Sequence, residues 1–467
     1  MLLASVAACV ALFIAVGLLA SRRVGSAADY AVARGGFGTV VVAATVFTTW
    51  FGAETVLGIP AVFLKEGVGA LAPDPFAAVG CLVLVALVFA RRLFRLRVLT
   101  LGDFFRDRFD GRVEALLSLC IAFSYLGWIA AQLLALGVAF SLISGGAMPM
   151  PAGVVAGAAI IVAYTLWGGM WSVALTDFVQ AIVIVAGLGY VAYAVGAAAG
   201  GPARVIESAS AAGRLAFAPP ADLKGVLGLA TSAFVVLLGS VPQQDVLQRV
   251  RSARTESIAV RATLWGAAAY FVVAAVPMFL VSAAAIIDPA LVARLLAVDS
   301  QLILPTLVLE RTPVLVQALF FGALLSAIFS TASGALLAPA VTIAENLVRP
   351  RLRDAGDAAV LRAMRLTVLA LAVAVTAMAL ASRQSIYELV NNSGKVVLAT
   401  SFVPLAAGLF WRRASAAGAW WSAVAGLATW LACEALAPDA MVPPALAGLL
   451  AGIAGMAAGT MRSPHGR

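Results

Sequence analysis

Three charged residues stand inside apolar stretches of this chain: Glu54, Asp177 and Lys395. A charge within a bilayer costs about 2.5–3.5 kcal/mol on insertion scales, so such residues mark ion paths, substrate contacts or intramembrane pairs. An ion pair that only ties helices together is the plainer alternative for each. Around Glu54, the segment VVAATVFTTWFGAETVLGIPAVFLKEG brings Gly52, Gly58 and Pro60 into one apolar run. Glycine and proline interrupt helical hydrogen bonding, and freed carbonyls are tolerated in a membrane only where they line a cavity. A discontinuous helix of this kind presents backbone oxygens to Na⁺ and a half-helix end to a solute. An ordinary kinked helix with small residues for packing fits the same letters. In a second segment, ALFFGALLSAIFSTASGALLAPAVTIAEN, Ser326, Ser330 and Ser333 recur at helical spacing with Thr331 beside them. Hydroxyls three and four residues apart share one helix face, and their oxygens suit a hard monovalent cation. Serines bonded to their own backbone are the alternative.

The elements that must position these residues are membrane helices. Of 467 residues, 63% are hydrophobic and 11% are charged, and mean hydropathy is +1.04. A soluble domain carries about 25% charged residues, so lipid is the solvent for most of this surface. The net charge of +9 does not point to nucleic acid, because the basic residues fall in short clusters between apolar runs. Cys9, Cys81, Cys120 and Cys433 are scattered singly without metal-type spacing, and the one histidine, His465, lies in the tail. Histidine-based zinc or haem chemistry is therefore not expected in the membrane, nor an enzyme with a Ser/His pair, nor an organic cofactor.

Thirteen apolar stretches are each of a length to cross a bilayer, near 2–20, 38–63, 75–90, 114–143, 151–169, 172–198, 226–245, 259–287, 313–345, 363–382, 385–411, 415–436 and 443–461. Their continuous apolar character argues against a β-barrel, whose strands alternate. Alternating crossings sort the 31 basic residues into 23 on one side and 7 on the other, with Lys395 inside a span. The richer side holds the arginines at 22–34, 91–112, 249–261, 349–365 and 412–413, and Arg462 and Arg467. The positive-inside rule puts that side in the cytoplasm, with the N-terminus outside and the C-terminus inside. Residues 1–20 read as a span rather than a cleaved signal peptide, because their positive charges follow the apolar stretch. No polar stretch is long enough for a soluble domain.

Several motifs together resemble the sodium/solute symporter family, which includes sodium-coupled sugar, proline, sialic acid and choline transporters. They are WFGAETVLG in the second span, LWGGMWSVALTDFVQAIVIVAGL across the fifth and sixth, and ALLSAIFSTASGALLAPA followed by NLVRPRLR in the ninth. QQDVLQR after the seventh span and AAGLFWRR closing the eleventh fit as well. The resemblance implies an all-α polytopic fold, a LeuT-like bundle of two inverted five-helix repeats with discontinuous core helices. On that reading, 1–37 is an N-terminal extra helix and loop, 38–198 the first repeat and 199–225 an extracellular loop. The second repeat is 226–411, and 412–467 holds two further helices and a tail.

The resemblance also implies a sodium site made by the carbonyls of Thr48, Phe51 and Ala327 and the hydroxyls of Ser330 and Thr331. Asp177 would lie on the cytoplasmic ion path or complete a second site with Ser333; Gly334 lacks the next hydroxyl of that site, which favours one sodium. The solute would sit against Trp50, Glu54, Thr55, Trp128, Gln243 and Asn391. Trp50 and Trp128 match two aromatic-cage positions of the choline branch, whereas Gln243 and Ala78 depart at the other two. Such a cage attracts quaternary ammonium through its ring quadrupoles. Lys395 is expected to pair with Glu54 or Asp177, or to meet a substrate carboxylate.

The implied function is sodium-coupled symport of a small organic solute (an amino acid, amine or other polar metabolite) into the cytoplasm across the inner membrane by alternating access. One charge crossing about 100 mV releases about 2.3 kcal/mol, enough to concentrate a neutral solute a few tens-fold. Proton coupling through Glu54 and Asp177 is the variant within the same fold. Of other classes, a channel would need a carbonyl filter or charged ring, and a membrane solute sensor would need an output domain. The partners expected are the solute, Na⁺ and the lipid bilayer, with no nucleic acid; the letters leave the oligomeric state open.

Overall fold

The computed structural model describes residues 2–218, 220–352 and 356–462; Arg353, His465 and Arg467, read above, lie outside the described residues. We label the principal helices α1 (Leu2–Ser21), α2 (Thr39–Trp50), α3 (Glu54–Glu66), α4 (Val68–Arg95), α5 (Gly111–Ile143), α6 (Met150–Ala198), α7 (Leu223–Leu237) and α8 (Gln244–Ser252). They continue as α9 (Glu256–Ile287), α10 (Val314–Arg351), α11 (Asp357–Ala381), α12 (Ile386–Thr400), α13 (Phe402–Phe410), α14 (Ala416–Leu436) and α15 (Pro444–Arg462). No strand occurs among the described residues, as lipid demands of a chain that does not close a barrel.

Polar residues start these helices where the chain enters the apolar layer. Asp110, Thr255 and Ser415 accept backbone N–H groups at the starts of α5, α9 and α14, and Ser385 forms a reciprocal capping box with Glu388 at the start of α12. Each cap satisfies donors that hydrocarbon would leave stranded.

Among the described residues, nine helices are long and apolar enough to cross a bilayer, and two bent pairs raise the number to eleven. The pairs are α2 with α3, bent by 54°, and α12 with α13, bent by 46°. Two further features account for the thirteen crossings expected. The 49 residues of α6 are more than twice what one crossing needs, and Gly169 interrupts them with φ 48°, ψ −139°. That position must be glycine: φ is positive, and a Cβ would run into the ring and carbonyl of Tyr30. The seventh crossing, expected as one helix, is instead split into α7 and α8, with residues 238–243 between them.

The bundle buries its helices unequally. In α10, 72% of the most apolar window is enclosed by protein, and in α5 67%, against 17% in α1. Helix α10 is therefore a core helix touched on all sides, while α1 turns most of its surface to lipid. The interrupted helix α2–α3 packs beside α10, and this contact positions the candidate site.

Candidate functional site

The last helical bond of α2 runs from Phe51 N–H to the Phe47 carbonyl at 3.1 Å. Phe51 then leaves helical geometry at φ −93°, ψ 77°, so the carbonyls of Thr48 and Thr49 lose their helical partners. Across the interface, the Thr331 hydroxyl of α10 donates to both, at 3.2 Å each. One residue earlier, the Ser330 hydroxyl donates to Asp177 Oδ1 at 2.6 Å, and the Thr45 hydroxyl donates to Asp177 Oδ2. Thr45, Thr48, Asp177, Ser330 and Thr331 are all fully buried. Three elements, α2, α6 and α10, thus converge through uncharged oxygens and one carboxylate.

The other residues expected here are placed less evenly. Phe51 forms the break itself, and Ala327 is buried one turn before Thr331. Ser333 donates to the Ser330 carbonyl of its own helix at 3.0 Å, and Ser326 to Gly322 at 2.7 Å. Beside them lies Arg249, whose guanidinium donates to Thr49 Oγ1 at 3.1 and 2.6 Å and to the Asp245 carbonyl at 3.2 Å. A Cβ on Gly334 would press on the Arg249 guanidinium, so that cation occupies the space next to Gly334.

A second region opens on the other side of the break. Trp50, Glu54, Asp74, Trp128, Gln243 and Asn391 share the wall of one cavity, with Tyr387 of α12 completing it. Glu54 Oε1 accepts from Trp128 Nε1 at 3.3 Å and Oε2 from Gln132 Nε2 at 2.8 Å, while Gln132 Oε1 accepts from Ala53 N–H at 2.9 Å. Gly52 leaves the space this carboxylate fills: a Cβ there would lie 2.5 Å from Glu54 Oε2. The Tyr270 hydroxyl donates to Asp74 and lies 3.3 Å from Thr55 Oγ1, which sets Thr55 behind the wall. Two carboxylates and three aromatic rings face the cavity, and among the described residues no basic side chain does.

Lys395 does not join this site. Its Nζ lies 3.6 Å from Glu434 on α14, so the expected pairing with Glu54 or Asp177 is corrected. Beyond Asn391, α12 packs onto α7: a Cβ on Gly394 would meet Val235 Cγ1 at 2.8 Å, and one on Gly239 the Gly394 carbonyl at 2.9 Å. That contact shuts Lys395 off from the cavity and turns its stem outward.

Several participants escaped sequence reading. Asp74 lies between two prolines just ahead of where the third span was expected to start, and Gln132 stood unread as the one amide in the apolar run IAAQLLALG. Arg249 was counted with the cytoplasmic arginines but is 3% exposed, because α8 folds into the core after the broken seventh crossing. Gly239 and Pro242 in GSVPQQD signal that break.

The model of the sodium:solute symporter family matches residues 30–426. The high affinity choline transporter 1 of Homo sapiens is 29% identical over 407 residues, covering 84% of this chain and 68% of that protein. The Torpedo marmorata high-affinity choline transporter 1 is 29% identical over 385 residues, 80% of this chain and 65% of its own. The chain thus spans about two thirds of the length of these relatives. Among solved structures, a Na⁺-coupled sialic acid symporter in a substrate-bound outward-open state superposes with a TM-score of 0.85 over 99% of this chain and 98% of its own, at 17% identity. The fold is shared almost end to end.

Proposed function

We propose, on the premise that this chain belongs to the sodium:solute symporter family and is a sodium-coupled secondary transporter, that its solute is a small organic cation of the amine or quaternary ammonium class. One observation carries the proposal: the cavity presents Glu54 and Asp74 beside Trp50, Trp128 and Tyr387, with no basic side chain on its wall among the described residues. A positive headgroup satisfies two carboxylates that are otherwise held only by neutral donors, and ring faces attract it further, by about 0.5–2 kcal/mol per ring. The choline transporters among the relatives point to the same chemistry. Gln243 and Ala78, at two positions where aromatic rings were expected of the choline branch, favour a headgroup that also donates hydrogen bonds.

Sodium would bind where the Thr48 carbonyl, the Ser330 and Thr331 hydroxyls and the Asp177 carboxylate converge, with the Phe51 and Ala327 carbonyls completing the shell. Oxygens with little formal charge replace a hydration shell yet release the ion again. The Arg249 guanidinium beside Gly334 favours a single sodium, since it already supplies a cation there. An ion bridging Thr48 and Thr331 would pin α2 to α10, stiffening the break that carries Glu54 three residues beyond Phe51. Solute then binds a wall that sodium has ordered, which is coupling through a shared element. The cycle would run between outward- and inward-open states of two inverted repeats, 38–198 and 226–411, delivering solute to the cytoplasm across the plasma membrane.

Thermal stability of the purified protein against amines, quaternary ammonium compounds, amino acids, carboxylates and sugars, each with and without sodium, tests this reading. A ligand that binds only the folded state raises the midpoint by mass action. Organic cations should raise it most, and only with sodium present; a larger sodium-dependent rise with a neutral sugar or a carboxylate would refute the proposal.

A further inference from the structure

Lys395, left aside by the transport site, belongs to a second cavity on the opposite side of α12. Its polar part is Gln384, Asn392, Lys395 and Glu434, with Trp430 beside them; its apolar part includes Phe123 of α5 and Met378 of α11. Phe123 is 61% exposed and Met378 38% exposed, on helices that cross the membrane, so the cavity opens sideways to lipid rather than to water. Its depth matches a headgroup: Gln384 precedes the first turn of α12, and Glu434 lies in the last turn of α14.

The polar groups are poorly served by the protein. Lys395 Nζ reaches Glu434 only at 3.6 Å, beyond hydrogen-bond distance. Among the described residues its ammonium has no hydrogen-bond acceptor, and the side-chain amides of Gln384 and Asn392 have no partner. Glu434 accepts one bond, from Trp430 Nε1 at 3.1 Å, on Oε2; its Oε1 is the atom that faces Lys395 Nζ at 3.6 Å, loosely enough for a closer donor to come in. A cation and a carboxylate, side by side at a lipid-facing opening, complement a headgroup carrying both signs. We propose that this cavity binds a zwitterionic aminophospholipid, its phosphate on Lys395 with the amides of Gln384 and Asn392, its ammonium donating to Glu434, and its chains running along Phe123 and Met378. Charge-assisted bonds of this kind are roughly twice as strong as neutral ones, and basic pockets between membrane helices suit lipid phosphates. Ser393 borders both cavities, so the lipid would brace the back of the helix whose front lines the transport site.

The test is a thermal-shift titration of the full chain in detergent with lipids of identical acyl chains: phosphatidylethanolamine, its mono-, di- and trimethylated forms, and phosphatidylglycerol. Affinity should fall stepwise with methylation, by roughly tenfold overall as the charge-assisted donors are lost, with phosphatidylglycerol weaker still. Lys395→Met and Glu434→Gln should each abolish the preference. Equal shifts across the methylation series would overturn the proposal, and that arm needs no variant to fold. Phosphatidylglycerol binding as tightly as phosphatidylethanolamine would also sink it, because Glu434 would then play no part. Free phosphoethanolamine stabilising as well as the lipid at equal concentration would exclude a membrane occupant.

Discussion

The ion region and the solute region meet at one backbone break, Phe51–Ala53, but they are made of different material. On the ion side, main-chain carbonyls of α2 and hydroxyls of α10 do most of the work, and Asp177 is the single carboxylate among fully buried neighbours. On the solute side, side chains from the end of α2, from α3, α4, α5 and α12 and from the residues between α7 and α8 form the wall, with two carboxylates and three rings. The contrast follows from what each half must hold. A small ion needs closely spaced oxygens, which an unwound helix supplies with no side-chain entropy to lose. A larger solute needs surface and shape, which only residues distant in sequence can provide. The break serves both: it frees the Thr48 and Thr49 carbonyls in one direction and aims Glu54 in the other.

If the halves are distinct, substitutions should separate them. Asp177→Asn removes the one negative charge from the ion region; losing a member of a buried, hydrogen-bonded charge set costs about 2–5 kcal/mol. Apparent sodium affinity should therefore fall by roughly thirtyfold or more, while solute affinity at saturating sodium stays near wild type. Glu54→Gln is the mirror experiment. Its donors, Trp128 and Gln132, can be kept by an amide only in part, so solute affinity should drop by at least roughly tenfold, with sodium binding in the absence of solute unchanged. If both variants weakened both ligands alike, the two regions would be one site and the comparison would fail.

Finer tests refine the picture. Thr331→Ala deletes a single hydroxyl, worth about 1–3 kcal/mol when its partners stay buried. Sodium titrations should shift by about tenfold, Thr331→Ser should recover most of the loss, and protein abundance should not change. The smallest effect belongs outside both regions. Asp288 caps the helix at Pro289–Val298, and Leu291 N–H, then Arg311, hold its carboxyl below the usual carboxylate range. A depressed carboxyl pKa contributes stability above its unfolded value of about 3.9 and loses it as pH falls through the folded value. Arg311→Gln should therefore lower the midpoint slightly at neutral pH, and the difference from wild type should fade on acidification below about pH 4, with transport unaffected throughout.

How much of this was readable in the letters also differs between the two regions. The ion residues lie in two short motifs, each with local signals: Gly52 after a threonine-rich turn, and hydroxyls repeating along α10. Local spacing therefore singles out Ser330, Thr331 and the interruption at Gly52, whereas Thr48 enters only through the family resemblance. The solute wall draws on long-range packing, and that is where reading along the chain fell short. Asp74 falls just outside the third apolar stretch and carries no signal of its own, and Arg249, which follows the seventh stretch, groups with the cytoplasmic arginines. Lys395 shows the converse error: its charge within an apolar run was noticed, but which way it faces depends on α7 packing against Gly394, which no periodicity in α12 records. The span count survived because it rests on hydropathy and on the sidedness of basic clusters, both properties of whole segments.

The most direct test of the central claim is the charge carried per solute molecule, measured in sealed proteoliposomes at a series of imposed voltages and sodium gradients. One sodium moving with an organic cation predicts about two elementary charges per solute, at about 2.3 kcal/mol each per 100 mV, and no uptake without sodium. A ratio near one, or uptake that persists when sodium is replaced, would contradict it.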